Sequence, residues 1–193
     1  MTSAPAQCAA DFASAILSAM ESNEERRQGG YATRYARWTA PLRARAGAPR
    51  ALAGANRVIT MLFYAAYPAL IAWAALFDPE QAAAYLAAPG VGFVAVTLFR
   101  HAFDAARPYK RWDIAPLVAR DGAGRSFPSR HVFSAFAIAS CWASWCAPAG
   151  ATLLALATAL AACRVLGGVH YPRDVVAGAL CGLLCGLAAV LVA

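Results

Sequence analysis

Residues 151–193 read ATLLALATALAACRVLGGVHYPRDVVAGALCGLLCGLAAVLVA. Two long apolar runs, Ala151–Val169 and Val175–Ala193, flank a short turn that carries His170 and Asp174. At about 1.5 Å per residue, a helical run of this length approaches the ~30 Å hydrocarbon core of a bilayer. A backbone in lipid must close its own hydrogen bonds, so each run is predicted to be a transmembrane helix. Toward the N-terminus, Val132–Ala149, Ala82–Phe99 and Val58–Phe77 have the same character. Pro68 sits inside the first of these spans in chain order, and Pro89-Gly90 is predicted to kink or break the second. Asp78-Pro79-Glu80 reads as a helix-start turn, with Asp at the N-cap and Pro in the first turn. Another tight turn is expected at Pro148–Gly150. The fold class is all-α: a polytopic membrane helical bundle of about five transmembrane helices, plus an N-terminal amphipathic helix.

Composition agrees. The 193 residues are 61% hydrophobic and only 14% charged, with a mean hydropathy of +0.50, whereas a soluble domain carries about a quarter charged residues. The net charge of +7 comes from 17 Lys and Arg against 10 Asp and Glu, and Lys110 is the single lysine. Such a balance suits nucleic acid, anionic headgroups or a phosphate group. No nucleic-acid partner is expected, because no aromatic-basic motif accompanies the charge. The six cysteines, at 8, 141, 146, 163, 181 and 185, have no metal-ligand spacing. No secretory leader is read, since the first residues lack a positive segment and Asp11 interrupts the early apolar stretch.

Two regions follow. Residues 1–57 form an amphipathic and basic interfacial segment, and residues 58–193 the transmembrane domain. Within the first, residues 9–22 have helical spacing but are too short to span, and Gly29-Gly30 is expected to break that helix. From Arg26 to Phe77 there are eight arginines and no acid. With Tyr31, Tyr35 and Trp38 interleaved, residues 31–50 are predicted to rest on anionic lipid headgroups.

Three polar clusters lie at span edges: Arg100-x6-Arg107-Pro108, Pro128-Ser129-Arg130-His131, and Arg164-x5-His170-x3-Asp174. Alternation of the spans puts all three on one face. Charge near hydrocarbon is costly and marks function. Arg100, Arg107 and Arg164 offer forked donors for phosphoryl oxygens. Ser129 and neighbouring amides stand at a helix N-terminus, an anion site. Of the two histidines, one is suited to attack and the other to protonate a leaving oxygen. Asp174, four residues after His170, can hold one of its ring nitrogens. Taken singly, each has a plainer use: an arginine as a snorkelling anchor, Asp174 as a cap for the last span. Gly178-x3-Gly182-x3-Gly186 is a small-residue stripe for close helix packing, within the chain or across a homodimer.

The three clusters together resemble the type 2 phosphatidic acid phosphatase (PAP2) superfamily, whose pattern is Lys-x6-Arg-Pro, Pro-Ser-Gly-His and Ser-Arg-x5-His-x3-Asp. The resemblance covers roughly 58–193 and implies a membrane lipid phosphatase. His170 would become phosphohistidine, Asp174 would orient it, and His131 would be general acid and then base. Arg100, Arg107, Ser129 and Arg164 would bind the phosphate, with the Arg130 amide beside them. No metal and no other cofactor are implied. Three departures stand out: Arg100 replaces lysine, Cys163 replaces serine, and Arg130 replaces glycine. The Arg130 side chain adds a cation available to a headgroup or a second phosphate. No family role attaches to His101 or Asp104.

The expected activity is metal-independent hydrolysis of a lipid phosphomonoester or diphosphate. Substrate candidates are phosphatidic acid, phosphatidylglycerol phosphate, and polyprenyl phosphate or diphosphate. Alternatives are phosphotransfer to another acceptor, vanadate-dependent halide oxidation, and non-catalytic headgroup binding. The expected location is the cell membrane. With five spans every Lys and Arg falls on the cluster side, which the positive-inside rule makes cytoplasmic. That sidedness counts against polyprenyl diphosphate, whose family phosphatases typically face outward.

Overall fold

Pro49 in the first turn and a left-handed Gly47 (φ 84°) at the N-cap start the first long helix, Ala48–Phe77. It buries Asn56, Ile59, Thr60, Phe63, Leu70 and Ala74 and turns Met61, Leu62, Tyr64 and Trp73 outward. One apolar face therefore meets the protein and another meets lipid. Its 30 residues reach about 45 Å, longer than the hydrocarbon core. The surplus lies at its N-terminus, where Arg50 and Arg57 are exposed.

The structure, a computed structural model, describes residues 29–119 and 124–192. Helix α1 covers 29–43, followed by α2 (Ala48–Phe77), α3 (Pro79–Phe103), the single turn α4 (Pro108–Arg111), α5 (Arg130–Trp145), α6 (Ala147–Leu166) and α7 (Pro172–Val192). Among the described residues, four helices are long and apolar enough to cross a membrane: α2, α3, α6 and α7. The expected span Val132–Ala149 is instead the 16-residue α5, about 24 Å long. It ends at Trp145 because Cys146 is extended and Pro148 opens α6. The tight turn thus falls at Cys146, ahead of the expected Pro148–Gly150. Short as it is, α5 is the central helix, burying Val132, Phe133, Ala135, Ala137, Ile138, Ala139 and Cys141.

Two apolar clusters surround it. Ile59, Phe63, Ala139, Ala157 and Leu160 join α2, α5 and α6. Leu70, Ala74, Tyr85, Cys141 and Ala189 join α2, α3, α5 and α7. Polar groups at this depth find backbone partners: Trp142 Nε1 donates to Ala66 O (3.0 Å) and Tyr67 Oη to Tyr85 O (3.1 Å). Pro89 lies inside α3, which continues through it, so of the expected kink or break the break does not occur. Asp78 caps α3 as expected, accepting from the Gln81 amide at 3.0 Å.

Helix α1 lies across the face that carries the polar clusters. Tyr35 Oη donates to Leu166 O (3.0 Å), and Arg43 donates to Ala115 O. Tyr31, Tyr35 and Thr39 are buried against the protein, while Arg34, Arg37 and Trp38 remain exposed. Gly29 and Gly30 are the first described residues of α1 and are helical. The amphipathic helix expected at 9–22, and with it the expected break, lies outside the described residues.

The α7 stripe packs within the chain. A Cβ at Gly178 would meet Ser129 O at 2.6 Å, at Gly182 Phe133 O at 2.4 Å, and at Gly186 the Ser140 Cβ at 2.5 Å. All three glycines face α5, and their small size is what lets the two backbones approach. Gly182→Leu should therefore lower the melting temperature of the detergent-solubilised protein by several degrees, as overpacking costs about 1–3 kcal/mol. Leu184→Ile, on the exposed face of the same helix, serves as the control. An unchanged melting temperature in Gly182→Leu would contradict this contact.

Candidate active site

The turn between α6 and α7 places His170. Gly168 has φ 75°, and a Cβ there would meet the Tyr35 hydroxyl at 2.7 Å. The position thus needs glycine both for its backbone angle and for the approach of α1. The amides of Val169 and His170 donate to Arg164 O at 3.2 and 3.3 Å, folding the turn back on α6. Asp174, in the first turn of α7, accepts from the Tyr171 amide at 3.0 Å. Its carboxylate lies 3.5 Å from His170 Nδ1.

Asp174 does more than cap a helix. Its Oδ2 also accepts from the Ser126 hydroxyl, which lies 3.4 Å from His170 Nδ1. His170, Asp174 and Ser126 are all buried. With acceptors gathered at Nδ1, the ring proton sits there and the Nε2 lone pair is left for attack. Burial pushes the His170 pKa down to about 4, with the charges of Arg164 and Arg107 adding to the effect and Asp174 opposing it. A buried imidazole in this field is neutral at pH 7.

The second histidine is oriented from α6. Arg164 Nη2 lies 2.7 Å from His131 Nδ1. A guanidinium only donates, so Nδ1 accepts and the ring proton of His131 is on Nε2. Arg164 therefore links both histidines, one through its carbonyl and one through its side chain.

The other arginines pin the loop before α5. Arg100 Nη1 donates to Ser126 O (3.1 Å) and to Pro128 O. Arg107 donates from Nε to Gly124 O (3.1 Å) and from Nη1 to Val169 O (3.3 Å). All three arginines are buried, and each guanidinium is a planar fork of five donor hydrogens suited to phosphoryl oxygens. Ser129 caps α5 with its side chain buried and its Oγ without a hydrogen-bond partner. An unsatisfied buried hydroxyl at a helix N-terminus is a place for an anion's oxygen.

The eight residues singled out from the sequence therefore gather at one end of the bundle, with Arg130 turned to a different side. Its guanidinium lies over the Phe93 ring at 5.7 Å. It shares with His131 the wall of a pocket of about 180 Å³ that also includes Thr60, Phe63 and Leu160. This pocket continues into an apolar groove of about 350 Å³ between α2, α3 and α5, lined by Tyr64, Leu86, Pro89 and Ile138 among others. Tyr64, Leu86 and Phe93 are exposed on the outer surface of the bundle, so the groove opens toward lipid.

Ser126 is a site residue that the motifs did not indicate. Its one signal was position, two residues before Pro128-Ser129. His101 and Asp104 stay outside the site: Arg125 Nη1 lies 3.1 Å from His101 Nε2, and Asp104 ends α3 in a left-handed conformation. Cys163 is buried.

Fold and site define a helical membrane protein whose buried histidine–carboxylate pair is ringed by arginines. A family model, the PAP2 superfamily, matches residues 81–193, more than half of the chain, and the chain belongs to that superfamily. The structure is similar to that of Aquifex aeolicus LpxE, with 27% identity and a TM-score of 0.65 over 79% of this chain and 92% of that one. It is also similar to a structure described as the first transmembrane PAP2 type phosphatidylglycerolphosphate phosphatase from Bacillus subtilis. There the identity is 19% and the TM-score 0.64, over 89% of this chain and 85% of that one. No curated protein matches the chain significantly.

His170 should titrate near pH 4 by imidazole 15N NMR, against about 6.5 for a free side chain. Its folded pKa lies below the unfolded value, so its contribution to stability is complete above about pH 6.5 and is lost as pH falls through 4. A midpoint near 6.5 would refute the buried, neutral ring. In the same protein, Ser126→Ala should lower turnover about tenfold with little change in KM, since a hydrogen bond to a charged group contributes about 1.5–3 kcal/mol.

Proposed function

We propose that this protein hydrolyses a phosphomonoester or diphosphate carried by a membrane lipid, through a phosphohistidine at His170. The observation that carries the reading is the groove at His131. The residue suited to protonate a leaving oxygen stands where an apolar, lipid-facing channel meets the arginine cluster, so the group that departs is held by hydrocarbon-compatible walls.

In this mechanism the phosphate enters among Arg100, Arg107 and Arg164 and the N-terminus of α5. Ser129 Oγ and the neighbouring amides take its oxygens. The arginines neutralise charge that builds on the equatorial oxygens as the phosphoryl group transfers. His170 Nε2 forms the bond to phosphorus while Asp174 and Ser126 hold the Nδ1 proton. As the phosphate draws the Arg164 guanidinium toward itself, His131 Nδ1 binds a proton. The imidazolium then protonates the leaving lipid oxygen from Nε2. Water enters, His131 takes its proton, and the N–P bond breaks to give inorganic phosphate.

His170→Ala should release no phosphate from phosphatidic acid or phosphatidylglycerol phosphate. Wild type quenched during turnover of lipid labelled in the phosphate should carry an acid-labile, base-stable phosphoenzyme, and His131→Ala should lower turnover by about 100-fold or more because it removes both the acid and the base. Vanadate should inhibit and EDTA should not. Undiminished turnover in His170→Ala would sink the assignment.

The sidedness follows from charge. The loops at Asp78 and Cys146 have no Lys or Arg, while the active-site end holds Arg34, Arg43, Arg57, Lys110 and Arg173. We therefore infer a site that faces the cytoplasm. With the native cysteines replaced by alanine, because exposed Cys146 lies in an opposite loop, an Asp113→Cys variant in intact cells should resist a membrane-impermeant thiol reagent and react only after permeabilisation; labelling without permeabilisation would reverse the orientation.

A further inference from the structure

Arg130 is an unexpected residue at its position. It is the first residue of α5, where the helix dipole disfavours a cation by about 0.3–1 kcal/mol. It is half-buried, and the pocket around it contains apolar and hydroxyl side chains, His131, and no carboxylate. Among the described residues it has no ion-pair partner; its contact is the face of Phe93 at 5.7 Å. Arg100 is near enough that the two cations repel. A guanidinium held against a helix N-terminus, beside a like charge and at the edge of hydrocarbon, is unfavourable unless an anion completes it.

The place of that anion is set by the neighbour. Arg130 and His131 line the same pocket on the groove side of the site, and Arg100, Arg107 and Arg164 serve the phosphate to be transferred. A charge held by Arg130 therefore belongs to the part of the substrate that leaves with the lipid, next to the oxygen that His131 protonates.

We propose that Arg130 is a specificity-determining residue that binds a second phosphate on the leaving group, making the favoured substrate class a lipid diphosphate. The inference rests on the phosphatase reading above and narrows it. The terminal phosphoryl group passes to His170: the Nε2–P bond forms and the bond from phosphorus to the bridging oxygen breaks. The electron pair stays on that oxygen, now part of a lipid monophosphate whose charge Arg130 holds and whose new hydroxyl takes its proton from His131. Water then cleaves the N–P bond. The sum is lipid diphosphate plus water giving lipid monophosphate plus inorganic phosphate. The positive charge near the membrane bears on the side from which the substrate is presented; it does not alter what Arg130 binds.

The test compares phosphate release from farnesyl diphosphate, farnesyl monophosphate and phosphatidylglycerol phosphate by the full-length protein in detergent micelles. Wild type should favour the diphosphate over its tail-matched monophosphate by tenfold or more in kcat/KM. In Arg130→Gln and Arg130→Gly that ratio should fall at least tenfold, and Arg130→Lys should retain part of it. Being a ratio within one preparation, it is insensitive to a general loss of folded enzyme, and melting curves identify a variant that does not fold. An unchanged ratio in the Gln and Gly variants overturns the inference while leaving the phosphatase reading intact. Selectivity lost for phosphatidylglycerol phosphate alone would also overturn it, since that second phosphate lies a glycerol unit away. Wild type that releases phosphate from none of the three defeats the underlying phosphatase reading instead.

Discussion

The close approach of α5 and α7 is the contact on which the rest of this protein depends. Gly178, Gly182 and Gly186 turn toward α5, where a methyl group at any of them would strike backbone or side-chain atoms at 2.4–2.6 Å. Without side chains between them, the helices come near enough for the Ser129 amide to donate to Asp174 O at 2.9 Å. That bond ties the N-terminus of α5 to the first turn of α7. It thereby ties the Pro128–His131 segment to the His170–Asp174 turn. In lipid there is no hydrophobic drive between helices, so packing of small residues and such polar links have to hold the bundle together.

Around that contact the charges are arranged in opposition. Three buried arginines would be prohibitive if left to apolar surroundings, and the backbone carbonyls of Gly124, Ser126, Pro128 and Val169 supply acceptors for two of them. Arg164 and Arg107 add to burial in keeping His170 unprotonated. The site can thus hold a positive clamp for phosphate together with a neutral nucleophile, a combination that solvent screening would weaken. Arg164 is central to this arrangement, because its carbonyl shapes the His170 turn while its guanidinium orients His131.

Much of this was legible in the chain. Apolar runs revealed the long helices, since a membrane imposes length and composition on any segment that crosses it. The spacing of His170 and Asp174 anticipated their pairing because four residues keep the two side chains within reach across the turn that opens α7. The central helix α5 ends at Trp145, inside the apolar run 132–149, because Cys146 is extended and Pro148 opens the next helix. The docking of α1 was not legible because propensity cannot register the aromatic packing of Tyr31 on Tyr171, at 4.9 Å between ring centres. Ser126 was passed over because its partner, Asp174, lies 48 residues away.

By itself, then, the sequence determined the helical membrane architecture, the chemical types in the site and the face on which they lie. Each of these follows from local composition, from spacing along one chain, or from counting crossings. Only the tertiary structure decided that Ser126 supports Asp174, that Arg164 reaches His131, that α1 docks over the α6–α7 turn, and that Arg130 lines the lipid groove. These are meetings between elements distant in sequence. Backbone approach and side-chain direction settle them, and neither quantity is encoded by the periodicity of a single segment.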